Sequence, residues 1–83
     1  ILGGIGNDTI WGGADDDGIF GEDGDDSLGG EAGNDYIDTG KGHDTVYGGI
    51  GDDTILGKAG SDQIFAGDGN DSVTGGTPRI SGR

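Results

Sequence analysis

The sequence predicts an all-β solenoid in which short strands from tandem nine-residue repeats stack on one another. Three observations predict it: a nine-residue period runs without insertion from residue 3 to residue 74, the sixth position of all eight repeats is Asp, and the eighth is aliphatic. An acidic, Gly-rich linker would not keep two positions fixed through eight consecutive units. The period therefore favours a folded array over the disordered linker that the composition alone permits.

Each repeat follows the pattern G-G-x-G-x-D-x-U-x, in which U is an aliphatic residue. In chain order the repeats read GGIGNDTIW, GGADDDGIF, GEDGDDSLG, GEAGNDYID, TGKGHDTVY, GGIGDDTIL, GKAGSDQIF and AGDGNDSVT. The aliphatic residues at position eight are Ile10, Ile19, Leu28, Ile37, Val46, Ile55, Ile64 and Val73.

The three residues around position eight form each predicted strand. Neighbouring residues of a strand point to opposite faces, so position eight faces the interior while positions seven and nine face outward. A strand of three residues cannot stand alone. Stacked copies can, because each pairs with the next and buries its aliphatic side chain against the neighbours.

The six residues before each strand form a predicted turn. Gly reaches left-handed backbone angles at little steric cost, and Asp supplies the hard oxygen ligand that calcium prefers. Stacking brings the Asp side chains to the strand spacing of about 4.8 Å, where like charges repel. We therefore expect a chain that is unfolded without a cation and folds when a cation binds.

Several turns depart from the pattern. Asp15 replaces Gly at position four, where Asp tolerates left-handed angles better than most residues. Lys58 brings a positive charge near a predicted ion site and is expected to weaken it. We expect the turns at Gly3 and Gly48 to be the most regular and those at Gly12 and Gly57 the least. The other substitutions are Glu22 and Glu31 at position two, and Thr39 and Ala66 at position one.

The ninth unit, GGTPRISGR, does not fit the repeat. Its sixth position is Ile80 and its eighth is Gly82, and Pro78 lacks a backbone donor. The sequence therefore predicts a repeat domain over residues 1–76, with residues 77–83 as a degenerate tail or the start of a cap. Ile1 and Leu2 fit positions eight and nine of a preceding repeat, so we expect that the array continues before them.

The composition restricts the partners of the chain. With 83 residues it forms at most one small domain, and its net charge of −13 disfavours nucleic acid and anionic membranes. No apolar run is long enough to cross a membrane. Metal cations are the natural partner for such a charge.

These tandem repeats resemble the RTX, or haemolysin-type calcium-binding, repeat family over residues 3–74. The resemblance implies a right-handed parallel β-roll in which two repeats make one coil. Odd and even repeats then form separate sheets, with their turns on opposite edges. Calcium in this family lies between successive turns of one edge, held by the Asp of position six and by turn carbonyls.

The resemblance also implies a set of metal ligands. Each edge of four turns has three gaps, so about six calcium ions are expected, which would nearly cancel the net charge of −13. The expected carboxylate ligands are Asp8, Asp26, Asp44 and Asp62 on one edge and Asp17, Asp35, Asp53 and Asp71 on the other. Expected carbonyl ligands are those of Gly6, Gly24, Gly33, Gly42, Gly51, Gly60 and Gly69.

The function that the resemblance implies is a calcium-binding module of a secreted, extracellular bacterial protein. Such a module stays unfolded where calcium is scarce and folds outside the cell after type I secretion, beside flanking domains or repeats of its parent. The alternatives are a repeat segment of a secreted enzyme (protease, lipase or epimerase) or cytolysin, and an adhesion module. An ice-binding variant is disfavoured because position three carries no Thr.

No catalytic group stands out in the sequence. His43, the one histidine, has no His or Cys partner for a zinc or catalytic site, and it occupies a variable turn position that is expected to face solvent. Asp pairs such as Asp52 and Asp53 recur along the array, which favours a structural role over one active site. There is no serine elbow and no H-E-x-x-H motif. We expect no enzymatic activity from this chain.

Position nine of the odd repeats carries a row of aromatic residues: Trp11, then Gly29, Tyr47 and Phe65. In the roll these residues share one outer face, as a ladder interrupted at Gly29. One hypothesis is that the face contacts a flanking domain or a partner. The other is that aromatic residues suit exposed strands in general.

Overall fold

The computed structural model describes residues 1–58, 60 and 62–74, together with the backbone of residues 79–81. Over these residues the fold consists of three-residue parallel strands in two sheets. The odd sheet has the order β1-β3-β5-β7-β9 and the even sheet the order β2-β4-β6-β8. The strands are β1 (Thr9–Trp11), β2 (Gly18–Phe20), β3 (Ser27–Gly29), β4 (Tyr36–Asp38), β5 (Thr45–Tyr47), β6 (Thr54–Leu56), β7 (Gln63–Phe65), β8 (Ser72–Thr74) and β9 (Arg79–Ser81).

The register shows that two repeats make one coil. Ile10 of β1 pairs with Leu28 of β3, and Ile19 of β2 pairs with Ile37 of β4, so paired residues are separated by two full repeats. The predicted parallel β-roll is thereby confirmed. Turns of the odd repeats lie along one side, called the odd edge, and turns of the even repeats form the even edge.

The core is a single cluster of aliphatic side chains between the two sheets, with one row from each sheet. Seven of the position-eight residues, from Ile10 to Ile64, form one buried cluster, and Val73 packs against it partly buried. On either side of each buried residue the strand residues are mostly exposed or half-buried, as in β1 and β5. This alternation confirms the predicted inward direction of position eight.

The turns are built from two left-handed residues each. Positions two and four have positive φ in all eight repeats, including the four without Gly at one of them: Asp15 (76°), Glu22 (69°), Glu31 (71°) and Lys58 (57°). The repeat therefore keeps its turn where the glycine is lost, at the cost of an unfavourable backbone angle.

The last strand arises from a change of spacing. The backbone of Ile80 pairs with that of Ile64, although the separation between them is shorter than the two full repeats that separate the residues of every other strand pair. A frame of nine residues therefore misplaces Ile80 at position six, whereas the sheet aligns it with position eight. The predicted boundary at residue 76 lies outside the described residues.

The outer face of the odd sheet carries an aromatic strip formed by Trp11, Tyr47 and Phe65. The ring of Trp11 lies over Gly29, where a β-carbon would collide with it. Tyr47 and Phe65 stack with their ring centroids 5.1 Å apart and their planes 8° from parallel. Gly29, predicted to interrupt the ladder, is thus covered by the neighbouring ring.

Candidate metal centre

The Asp residues of position six line the inner side of both edges. Five of them, at positions 26, 35, 44, 53 and 62, are at most 2% exposed. The outermost ones, Asp8, Asp17 and Asp71, are half-buried. The structure therefore brings all eight predicted carboxylates into two stacked rows, four on each edge.

One oxygen of these carboxylates joins successive turns. The backbone N–H of Asp8 donates to Oδ1 of Asp26 at 2.8 Å, and that of Asp26 donates to Oδ1 of Asp44 at 2.7 Å. The same bond recurs in the four other gaps, at 2.8–2.9 Å, to Asp35, Asp53, Asp62 and Asp71. Each gap between turns is thus crossed by a charge-assisted hydrogen bond.

The second oxygen has no partner. Oδ2 is buried and makes no hydrogen bond in any of the eight residues, Asp8, Asp17, Asp26, Asp35, Asp44, Asp53, Asp62 and Asp71. Burying an unpaired carboxylate oxygen is costly, and native proteins avoid it unless a proton or a cation compensates. The eight Oδ2 atoms, four on each edge, are therefore candidate ligands for a row of cations along each edge.

Backbone carbonyls of position one face the same region. A β-carbon added to Gly21 would lie 2.8 Å from Oδ2 of Asp26 and 2.7 Å from the carbonyl oxygen of Thr39. The equivalent point at Gly30 lies 2.5 Å from Oδ2 of Asp35 and 2.9 Å from the carbonyl oxygen of Gly48. Glycine at position one thus leaves room beside two oxygens that converge from successive turns.

Sequence reasoning did not single out these position-one carbonyls, and its choice of the position-four carbonyls as ligands stays a prediction. The structure places the carbonyl oxygens of Gly6 and Gly24 against the α-carbon of the position-four glycine in the next turn. The stack continues through Gly42 to Gly60 on the odd edge, and through Gly33, Gly51 and Gly69 on the even edge. The sequence does not distinguish the carbonyls of position one from those of position four, because the repeat pattern has Gly at both positions.

The donor set suits calcium. Among the described residues no three His, Cys, Asp or Glu side chains converge on one point that could hold a metal. An ion in a gap must therefore combine carboxylate oxygens with backbone carbonyls, and this all-oxygen set is the one that calcium prefers. A zinc site would need nitrogen or sulfur ligands.

The rows are electrostatically strained without a cation. Burial, together with the carboxylates of Asp62 and Asp26, raises the pKa of Asp44 to about 7, although a backbone N–H partly offsets this. Burial and the neighbouring carboxylates of Asp35 and Asp71 raise the pKa of Asp53 to about 6. Burial also raises the pKa of Asp26, Asp35 and Asp62.

A second ladder runs along position five, which sequence reasoning treated as variable. The N–H of Asp25 donates to Oδ1 of Asn7 at 2.8 Å, and the N–H of Asn34 donates to Oδ1 of Asp16 at 2.7 Å. In these bonds the later turn donates to the earlier one, whereas at position six the earlier turn donates to the later one. Each of these gaps is therefore crossed by two hydrogen bonds of opposite direction. The shared feature is a side-chain oxygen on the γ-carbon, in Asn7, Asp16, Asp25, Asn34 and Asp52.

Two other residues singled out in the sequence are not members of the carboxylate rows, although the charge of His43 acts on Asp62 of the odd row. The ammonium of Lys58 pairs with Oδ2 of Asp38, the last residue of β4, at 3.1 Å. His43 is exposed, and its backbone N–H donates to Oδ1 of Asp25 at 2.9 Å.

Comparison with known proteins agrees with this geometry. The family model for the RTX calcium-binding nonapeptide repeat, four copies long, matches residues 1–28, 20–55 and 47–77. Comparisons with curated proteins and with solved structures found no match. In the described part of the chain, no helix has the length and apolar character needed to cross a membrane.

Proposed function

The chain belongs to the RTX calcium-binding nonapeptide repeat family, and from that premise we propose that it is a calcium-dependent folding module of a longer, secreted bacterial protein. It is a calcium-binding repeat module of parallel β-roll architecture. The proposal adds that the chain is unfolded where calcium is scarce and folds outside the cell. It also adds that folding supports type I secretion and the stability of flanking domains.

One observation carries the proposal: the eight buried, unpartnered Oδ2 atoms. Their charges repel one another and are poorly solvated, so the folded chain lacks compensation in the absence of a cation. Bound calcium would supply positive charge to these oxygens, and its binding free energy would then become folding free energy.

The residues of the chain have distinct roles in this proposal. The Asp of position six holds the ion through Oδ2 while Oδ1 keeps two turns at their spacing. Position-one carbonyls complete the oxygen set. Reciprocal bonds of position five, such as that between Asp25 and Asn7, fix the rim of the turn. The proposed number of ions is about six, one for each gap.

A role in contact with a flanking domain is supported by the aromatic strip. Trp11 and Tyr47 are about half exposed, and no acidic or basic residue occurs in β1, β3, β5 or β7. Replacing Trp11, Tyr47 and Phe65 together with Thr should therefore weaken the attachment of the module to its parent. Unchanged stability of the parent and unchanged partner binding would rule out this contact. We propose no enzymatic activity for the module itself.

The test of the proposed function is a pair of matched triple variants. Asp26, Asp44 and Asp62 are changed together to Asn, which keeps the shape but removes three charges from the odd row. The control changes Asp16, Asp25 and Asp52 of position five to Asn, which removes the same charge and keeps the Oδ1 acceptor. We expect the first variant to need far more calcium to fold, as followed by circular dichroism, and the control to need about the same. Equal calcium requirements would contradict the site assignment.

A further inference from the structure

Thr39 stands where the repeat pattern requires glycine. It occupies position one of the fifth repeat and is completely buried. In the five glycines of position one whose surroundings are described, a β-carbon would lie 2.5–3.0 Å from Asp Oδ2 and 2.5–3.1 Å from the carbonyl oxygen of position one two repeats later. Thr39 therefore places a side chain in the region where the oxygens of a metal site converge.

The hydroxyl of Thr39 makes a specific bond there. Its Oγ1 donates to the carbonyl oxygen of Gly57 at 2.6 Å, which joins the fifth turn to the seventh. Among the described residues, Gly57 is the one position-one residue whose carbonyl accepts a hydrogen bond from a side chain. Ala66, at position one of the eighth repeat, is buried as well but carries only a methyl group. This gap therefore has one side-chain hydrogen bond between its turns in addition to the Oδ1 bond that every gap has.

The bond from Thr39 does not satisfy the carboxylate of the gap. The Thr39 hydroxyl lies beside the Asp44 carboxyl, but its one hydrogen is donated to Gly57, so Oδ2 of Asp44 has no hydrogen-bond partner. Oδ2 of Asp62 in the next turn is unpaired as well. In the gap between the fifth and seventh turns, the carboxylate oxygens thus still lack a compensating charge, while the bond from Thr39 to Gly57 already connects the two turns.

We propose that Thr39 is a positioning residue that holds the fifth and seventh turns at their spacing before an ion enters, so that this gap becomes ordered at lower calcium than its neighbours. The inference rests on the proposed calcium-dependent folding and assigns its starting point to one gap. The hydroxyl acts through the turn spacing, while the ion itself is held by the carboxylates and carbonyls.

The test compares three replacements of Thr39 in the 83-residue chain. Thr39→Val keeps the shape and loses the hydroxyl, Thr39→Gly restores the repeat pattern, and Thr39→Ser keeps the hydroxyl. Thr54→Val is the control, because Thr54 lies on the outer side of β6, away from the gap. The folding equilibrium constant is measured by urea titration at one fixed calcium concentration.

We expect Thr39→Val and Thr39→Gly to lower the folding constant about fivefold, the effect of one buried hydrogen bond, and Thr39→Ser and Thr54→Val to change it less than about twofold. Amide exchange at limiting calcium gives a local readout. The N–H of Asp44 should lose protection in Thr39→Val, while that of Asp35, in the matching gap of the even edge, should keep it.

Three results would overturn the inference. An unchanged folding constant in Thr39→Val would show that the hydrogen bond of Thr39 does not stabilise the fold. Equal loss of protection at Asp44 and Asp35 would show that Thr39 stabilises the whole chain and not this gap in particular. A Thr39→Gly variant that folds at lower calcium would show that Thr39 obstructs the ion. If the unaltered chain does not respond to calcium at all, the proposed function fails and the inference fails with it.

Discussion

Glycine at position four is required by stacking as well as by backbone angle. Gly42 has a φ of 109°, and a β-carbon there would collide with the carbonyl oxygen of Gly24 in the turn beneath. Gly6 has nearly the same φ, 107°, but nothing lies within 4 Å of the corresponding point. Asp15, at position four of the second repeat, keeps the left-handed angle without glycine.

The two glycines give a matched pair of substitutions. Gly6→Ala should cost about 1–2 kcal/mol, the penalty of a left-handed alanine. Gly42→Ala should cost clearly more, because the added carbon also pushes two turns apart. Urea unfolding at saturating calcium measures both free energies of unfolding. Equal costs would contradict the stacking argument.

The carboxylate rows also predict the pH dependence of the calcium-free chain. The pKa of Asp44 is raised to about 7 and that of Asp53 to about 6, above the ordinary value of 3.8, so the folded state binds protons more tightly than the unfolded state. The stability from these protons is lost as pH rises through about 6–7 and is complete below about 4.

Without calcium, therefore, the chain should gain β structure on acidification from about pH 8 to about pH 4–5. At low pH, protons should also compete with calcium, so more calcium is needed for binding. Circular dichroism across this pH range, with a chelator present, is the measurement. A calcium-free chain that is more folded at pH 8 than at pH 5 would refute the sign of the effect.

Sequence reasoning at the residue scale succeeds where chemistry restricts the residue type. Asp at position six was predicted as the carboxylate row, and its role as a calcium ligand stays a prediction. The carbonyls could not be predicted, because every residue has one and only the backbone path selects among them. The ladder of position five was missed because Asn7 and Asp16 differ in charge, although both provide the same acceptor oxygen.

The strands are elements that exist only through their partners. Three residues such as Thr45–Tyr47 of β5 gain order by pairing with β3 and β7, each two full repeats away along the chain. The regular period and the inward aliphatic position were sufficient to predict eight strands. β9 was not predicted, because its shorter offset from β7 breaks the period on which the prediction rested.

The aromatic strip shows a further limit of sequence reasoning at this scale. Glycine reads as an interruption in a row of large side chains, yet Trp11 covers Gly29 because the absence of a β-carbon leaves room for the ring. A packed contact between neighbouring strands depends on which way a ring turns. That direction is set by the space available and cannot be read from the row of residue types.

A double-mutant cycle tests the contact. In the unaltered chain, Gly29→Thr should be destabilising, because the new side chain displaces the ring of Trp11. In a Trp11→Ala background the same change should be stabilising by about 0.5–1 kcal/mol, since Thr is the better strand former. Urea unfolding at saturating calcium gives the four free energies. A Gly29→Thr change that stabilises both backgrounds would contradict the packing described.

At the scale of the whole molecule, apolar and charged groups are segregated. A single layer of aliphatic side chains, contributed by both sheets, fills the centre, and the carboxylates that give much of the net charge of −13 are stacked along two edges. So thin a core leaves little to offset the repulsion within each edge. The fold and its cation are therefore expected to form together.

The most direct test of this coupling is far-UV circular dichroism during a calcium titration, with magnesium as the control. We predict a coil spectrum without metal and a cooperative change to β structure at roughly 0.1–1 mM calcium, the range of extracellular calcium modules. Magnesium should have little effect, because it loses its water reluctantly and demands a stricter geometry. A β spectrum in the absence of any cation at neutral pH would contradict the account, since the chain would then fold despite its unpaired carboxylates.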